Sequence, residues 1–303
     1  MAARKVDTLL AAFERHLRTV RGATPQTRLE YTRYVREYLE GHHGETVDVT
    51  RLQAADLIDF VVERAARCAA GTAKLVATSL RSFLRFLQMK GLCDTRLVAA
   101  IPTVANWKLA RLPKTLTDEQ LRALLDAFDR RSATGCRDYA IALCLSHLGL
   151  RAGEVARLTL DDIDWRAGTL RIVEGKARRD GILPLPVRIG QAIVTYLRRG
   201  RPSTAQRWVF VRHRVAAGRP LSSSAVCSAI RRAFERSRAE GVRSKGAHAL
   251  RHTAATRMLR AGASLKDLAD VLRHRSLDTT AIYTKVDLPR LAAVALPWPR
   301  VRS

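Results

Sequence analysis

The chain has 303 residues, 47% of them hydrophobic, which is enough to bury a core in each of two ordinary domains and excludes a disordered basic tail. Its formal net charge is +26, from 54 Lys+Arg against 28 Asp+Glu, an excess larger than solubility requires and one that implies a polyanionic partner. Residues 1–112 carry 18 basic and 11 acidic side chains, leaving 36 and 17 for residues 113–303, so the anion is expected to span both halves.

The first half reads as helices. Val6, Leu9, Leu10, Phe13, Leu17 and Val20 follow helical spacing. Thr24-Pro25 is an N-cap with proline at the first helical position, opening a helix with Leu29, Tyr31, Tyr34, Val35, Tyr38 and Leu39 that His42-His43-Gly44 ends. The histidine pair is read as a solvated turn, since no Cys or acidic residue stands nearby at ligand spacing. A third helix is expected from about Ala54 to Ala70, broken by Gly71, with Thr72 capping a fourth through Leu75, Val76, Leu80, Phe83, Leu84, Phe86 and Leu87. The other face of that fourth helix shows Lys74, Arg81, Arg85 and Lys90, either a solvated stripe or a set of phosphate contacts. Four short helices with basic faces suit a DNA clamp. Residues 101–114 (IPTVANWKLARLPK), with two prolines and little periodicity, read as a linker.

A second domain opens at Thr117, where Thr-Asp-Glu-Gln matches a capping box ahead of Leu121, Leu124, Leu125 and Phe128. Tyr139–Leu150 is nearly all apolar, hence a buried helix, with Cys144 a core residue. Gly149 and Gly153 frame Arg151 where that helix ends. Thr169–Val173 and Ile182–Leu185 are short β-type runs joined by 174–181 (EGKARRDG), a hairpin with a cationic tip. Ile189–Leu197, Ser222–Arg238 and the stretch from Ala247 are again helical. The five cysteines (Cys68, Cys93, Cys136, Cys144, Cys227) form no C-x-x-C pair, so neither a disulfide framework nor a cysteine-rich zinc site is suggested. An N-terminus mixing Arg4, Lys5 and Asp7 is no signal peptide, and no apolar run approaches the length of a membrane span. A cytoplasmic, nucleoid-associated location is expected.

The chemistry concentrates between Ala247 and Lys285. His248 and Arg251 stand one helical turn apart and can point at one ligand. His274 follows a helix end, and Tyr283 comes nine residues later. Cations to hold phosphate oxygens and a phenol to attack form a set that phosphate chemistry can use. Each residue also has a plain reading. Alone, Arg151 is a structural ion pair with Glu154, Lys176 a surface lysine and Tyr283 an amphipathic core residue. The His248/His252 pair lacks the glutamate of the zinc-hydrolase pattern, that position being Ala249.

In order along the chain, residues 149–158 (GLRAGEVARL), the hairpin lysine, HALRH at 248–252, LRH at 272–274 and TAIYTK at 280–285 resemble the boxes of the tyrosine recombinase (phage integrase) family, with a Xer-like layout. The resemblance covers nearly the whole chain. It implies a mainly α fold with a small β-sheet: a SAM-like, four-helix core-binding domain (1–103), a linker (104–116) and an α+β catalytic domain with a C-terminal tail (117–303). By resemblance the catalytic set is Arg151, Lys176, His248, Arg251, His274 and Tyr283, and His252 is a packing residue or one that supports a catalytic residue from behind. Two positions depart from the pattern. Arg273 stands where the family's L-G-H box has glycine, able to contact a phosphate but crowding the turn if φ must be positive. The usual Y-T-H ending is Y-T-K.

The implied reaction is site-specific DNA recombination through a 3′-phosphotyrosyl intermediate. Arg151 and Arg251 can hold the equatorial oxygens through paired donors, with His274 adding a hydrogen bond. A free phenol has a pKa of about 10, so Tyr283 needs an acceptor, for which His248 is the better candidate, and Lys176 can protonate the leaving 5′ oxygen. Neither metal nor nucleotide cofactor is implied. The expected partners are duplex DNA with inverted repeats and further copies of the chain in a tetrameric synapse, with a heteromeric recombinase or accessory factor allowed. The tail face at Leu291, Val294 and Leu296 is expected to dock on a neighbouring subunit. A type IB topoisomerase-like nicking-closing enzyme and a non-catalytic DNA-binding protein of the same fold are the alternatives. The intact six-residue set argues against the second.

Overall fold

The structure is a computed structural model that describes residues 4–104, 114–173, 181–273, 280 and 282–283. By its internal packing the chain divides into two units, Met1–Trp107 and Lys108–Ser303. The stretch expected to link them falls largely outside the described residues.

In the first unit, α1 (Val6–Thr19), α2 (Pro25–His43), α3 (Ala54–Arg67), α4 (Ala70–Met89) and α5 (Thr95–Ala100) surround one apolar core. A two-stranded antiparallel pair, β1 (Arg4–Lys5) and β2 (Thr46–Val47), closes one end. The entry to α2 follows the sequence reading, because the Thr24 hydroxyl accepts from Thr27 N at 3.2 Å with Pro25 at the first position. Phe83 of α4 meets Phe13 of α1 edge-on, ring centroids 5.3 Å apart. The boundary between α3 and α4 differs from expectation. The chain turns at Cys68 and Ala69, both extended, and Gly71 and Thr72 lie inside the first turn of α4. Glycine's cost in a helix is the backbone entropy it loses, which is largest in the interior and smaller in a terminal turn. Asp94 caps the fifth helix, accepting from Arg96 N at 2.9 Å, a short element missed for want of periodicity. Of the expected basic stripe, Lys74, Arg85 and Lys90 are exposed. Arg81 is instead bonded to the carbonyls of Ile101 and Pro102, both at 3.0 Å.

The second unit is built on α7 (Ala133–His147), whose residues from Ala140 to Leu145 are buried on every side. Around it pack α6 (Asp118–Asp126), α9 (Val187–Arg199), α10 (Ser223–Arg236) and α11 (Ala247–Arg260); α8 (Ala152–Arg157) lies against α10, and α12 (Leu265–Leu272) against α11. The capping box at α6 is formed: Gln120 N donates to Thr117 Oγ1 at 3.2 Å and Thr117 N to Gln120 Oε1 at 3.0 Å. Strands β3 (Ile163–Asp164), β4 (Thr169–Ile172) and β5 (Gly181–Pro184) make an antiparallel sheet in that order, with Leu170 opposite Leu183 and Ile172 opposite Gly181. The hairpin expected between β4 and β5 is therefore present at its base, while its tip lies outside the described residues. The helix expected to run to Leu150 stops at His147, because Gly149 takes φ +64. None of the described helices is long and apolar enough to cross a membrane.

Candidate active site

The turn after α7 aims Arg151. A Cβ on Gly149 would come within 2.7 Å of Leu272 Cδ2, so glycine is required both by the positive φ and by the approach of α12. Two residues later Arg151, in extended conformation, opens α8. Its backbone N–H donates to Glu154 Oε2 at 2.7 Å and its Nη1 to Glu154 Oε1 at 2.6 Å. Nη2 reaches the carbonyl of Arg273 at 3.1 Å. The ion pair inferred from the i,i+3 spacing is thus present. The Arg151 side chain nevertheless keeps 29% of its surface exposed, while that of Glu154 keeps 2%.

From α11 come His248, Arg251 and His252. Arg251 is buried; its Nη1 donates to the Gly149 carbonyl and its Nη2 to the Leu272 carbonyl at 2.6 Å. Those carbonyls take two of the five N–H groups of a guanidinium. Burial, with repulsion from Arg151 and Arg273, brings its pKa down to about 10, so it stays charged at neutral pH. His248 is exposed at the rim with protein around much of its ring. Desolvation first, then Arg251 and Arg151, lowers its pKa below the usual 6.5.

Tyr283 packs in a small apolar cluster with Ala255, Leu259, Leu268 and Leu272 and is 1% exposed. Its phenol oxygen lies 2.7 Å from His252 Nδ1. Burial pushes the phenol up to about 12, against the pull of Arg251, and burial together with His248 and Arg251 holds His252 at about 4. At neutral pH the pair is therefore a protonated phenol beside a neutral imidazole. With its proton on Nε2, that ring accepts from Tyr283.

Arg273 completes the group. It ends α12 in the left-handed region, φ 52° and ψ 51°, its N–H donating to Asp270 O at 3.0 Å. The sequence raised a phosphate contact or a crowded turn. The turn does require positive φ, and the side chain is turned inward, 6% exposed, with Nη2 on Glu154 Oε2 at 2.7 Å and Nη1 on Val271 O at 2.8 Å. Left-handed backbone costs a non-glycine residue roughly 1–2 kcal/mol. A hydrogen bond to a charged group returns about 1.5–3 kcal/mol, so the contact with Glu154 is enough to hold the strained residue. Arg251 Nη1 stands 4.0 Å from the same carboxylate. Burial alone would raise the Glu154 pKa, but Arg273 and Arg151 outweigh it and the carboxyl sits below 4.5.

Of the six residues inferred from sequence, the structure brings together Arg151, His248, Arg251 and Tyr283. Lys176, His274 and the tail lie outside the described residues. His252, outside the six and expected either to pack or to support a catalytic residue, bonds the phenol directly. The available signal was its position four residues after His248 on α11. Among the described residues no cluster of three His, Cys, Asp or Glu side chains is placed to hold a metal.

Residues 114–289 match the model of the phage integrase family, and residues 10–91 match the phage integrase N-terminal SAM-like domain. The chain belongs to the phage integrase family. Among curated relatives, the integrase/recombinase-like protein y4rA of Sinorhizobium fredii is 44% identical over 97% of this chain and 71% of its own length. Tyrosine recombinase XerA of Thermococcus kodakarensis is 31% identical over 94% of this chain and 93% of its own. Two solved structures share the fold at 19% identity and a TM-score of 0.70: a lambda integrase dimer bound to a COC′ core site, matched over 99% of this chain and 81% of that one, and XerH bound to a palindromic difH substrate, matched over 94% and 83%. The chain is thus a site-specific tyrosine recombinase of mostly helical fold with small antiparallel sheets, as the ordered boxes imply.

Proposed function

We propose that the recombinase cuts and rejoins duplex DNA with Tyr283 as nucleophile, Arg151 and Arg251 as the phosphate clamp, and His252 and His248 as the groups that handle the phenolic proton. The observation that carries this reading is the 2.7 Å contact of Tyr283 Oη with His252 Nδ1, made beside Arg251 and within the same group of arginines as Arg151 and Arg273. In the cleavage step the Oη–P bond forms as the P–O5′ bond breaks. The phenolic proton passes to a neutral imidazole, and the 5′ oxygen leaves as a hydroxyl, taking its proton from Lys176. Guanidinium donors hold the charge that gathers on the equatorial oxygens, and His274 adds one more hydrogen bond. The 3′-phosphotyrosyl bond keeps the energy of the phosphodiester, so attack by a 5′-hydroxyl of a second strand reverses the step without a nucleotide.

The residues that would carry the DNA are those of a two-module chain, residues 1–103 as a clamp and 117–303 as the catalytic part, joined through 104–116. The net charge of +26 and the exposed Lys74, Arg85 and Lys90 support it. Relatives of this fold have been solved on DNA, one of them a lambda integrase tetramer on a Holliday junction, which supports a tetrameric synapse on an inverted-repeat site. A partner recombinase or accessory factor fits the same assembly, as does a nucleoid-associated location.

A nicked suicide duplex carrying the recombination site tests the reading. Wild-type protein is expected to accumulate a covalent adduct and Tyr283→Phe none; an adduct with Tyr283→Phe would overturn the assignment. Relaxation of a supercoiled one-site plasmid by monomers, with no exchange between two sites, would move the reading to a nicking-closing enzyme. Deleting residues 288–303 is expected to weaken cooperative synapsis and spare single-site binding.

A further inference from the structure

We infer that Arg273 is a positioning residue for strand cleavage: by holding Glu154, it keeps that carboxylate from drawing Arg251 off the scissile phosphate. The inference rests on the proposed phosphate clamp and adds to it a residue from outside the six. Glu154 is a buried anion in the middle of the site, bonded to Arg151 through both its oxygens and standing 4.0 Å from Arg251 Nη1. An unneutralised carboxylate there would compete with phosphate for the same guanidiniums, because both are oxyanions that arginine binds through paired donors. Arg273 Nη2 occupies Oε2 at 2.7 Å, the oxygen nearest Arg251. Among the described residues three guanidiniums stand around this one carboxylate, so with Arg273 on Oε2 the carboxylate is held away from Arg251.

The way Arg273 is held fits this role. Its guanidinium is anchored on the Val271 carbonyl, and its own carbonyl accepts from Arg151 Nη2. The stem lies against the first residue of β5, where a Cβ on Gly181 would come within 3.0 Å of Arg273 Cδ. Nε is buried with no hydrogen-bond partner among the described residues. Arg273 thus joins the end of α12, the start of α8 and the start of β5. A residue placed only to cap α12 would not need its charge, since glycine accepts the left-handed conformation without strain.

The test is a double-variant cycle in the full-length protein, reading the single-turnover cleavage rate at saturating suicide duplex together with the Kd for that duplex. Arg273→Gln is expected to slow cleavage by ~10- to 100-fold, the scale on which partners of site residues act, with Kd changed by less than about threefold. Arg273→Lys, which keeps a cation for Glu154, is expected to retain most of the rate and shows that the position tolerates change without unfolding. In the Glu154→Gln background there is no carboxylate to neutralise, so adding Arg273→Gln is expected to cost less than about threefold. Equal losses from Arg273→Gln in both backgrounds, or no loss in either, would overturn the inference. Arg151→Gln is run alongside: if it cleaves at the wild-type rate, the clamp itself is wrong, whereas an inactive Arg151→Gln beside a fully active Arg273→Gln sinks only the role of Arg273.

Discussion

Two buried arginine–carboxylate groups in the same unit differ in how many guanidiniums bond the carboxylate directly among the described residues. At the start of α7, Arg137 donates to Asp138 Oδ1 at 2.8 Å and to the Val211 carbonyl at 3.1 Å, one cation directly bonded to one anion. Around Glu154 there are three guanidiniums, at 2.6, 2.7 and 4.0 Å. The two carboxyls titrate with opposite signs. Burial dominates at Asp138 and raises its pKa despite the bonded Arg137 and the more distant Arg232 and Arg236, while at Glu154 the arginines bonded directly to the carboxylate overcome burial and lower it. The first group ties the start of α7 to the Val211 carbonyl and pins the fold, with Arg232 and Arg236 acting on its anion from farther off. In the second, the described residues set three guanidiniums near one carboxylate, an arrangement that suits a phosphate-binding site.

The sharpest way to break this comparison is to remove one cation from each. Arg137→Met leaves Asp138 buried and unpaired and is expected to lower unfolding free energy by about 3–5 kcal/mol in denaturant titrations. Replacing both residues, Arg137→Met with Asp138→Leu, should recover most of that loss, since a buried pair exchanged for apolar groups is often close to neutral. Arg151→Gln is expected to do the reverse, slowing adduct formation by ~10²–10³-fold with a smaller effect on stability. An Arg151 variant that unfolds but cleaves normally would make the second group a pin like the first.

Stability against pH separates the two carboxyls by sign. Glu154, held below 4.5 in the folded state, contributes stability that is present above pH 4.5 and lost as pH falls through its folded pKa. Asp138, raised above 3.8, contributes stability that is present below pH 3.8 and lost as pH rises through its folded pKa. Melting midpoints of Glu154→Gln and Asp138→Asn across acidic pH should therefore differ from wild type with opposite slopes. The rate profile is a smaller effect. With His252 near 4 and His248 lowered by burial and by Arg251 and Arg151, single-turnover cleavage should be level through neutral and alkaline pH and fall only in acidic buffer. Smallest of all, Gly181→Ala should press on the Arg273 stem by a few tenths of an ångström and slow cleavage by less than about tenfold.

Local features of the chain were legible in the sequence. Thr24-Pro25 and the Thr117 capping box depend on residues three apart, and the Arg151–Glu154 pair does too. Helix ends were less so, as at Gly71 and after His147, because a glycine in the first turn and one in a left-handed turn look alike in sequence. The contacts that make the site unusual join residues far apart: Arg273 meets Glu154 across 119 positions, and His252 meets Tyr283 across 31. Spacing carries no information about those pairings. Family resemblance carried the residue set, but it gave no partner for Arg273, where the chain departs from the pattern.

The clasp made by Arg251 bears on how an inactive form of this recombinase should be chosen. One guanidinium both faces the proposed phosphate site and ties the carbonyls of Gly149 and Leu272, so it fastens the end of α7 to the end of α12. Truncating it to silence the enzyme would loosen that junction as well, and a protein lost to precipitation would look like one lost to chemistry. Removing a single oxygen at Tyr283 leaves the ring among Ala255, Leu259, Leu268 and Leu272. For trapping an uncut assembly on DNA, Tyr283→Phe is the cleaner silent variant, and an Arg251 substitution is better kept as a probe of how the two helices are joined.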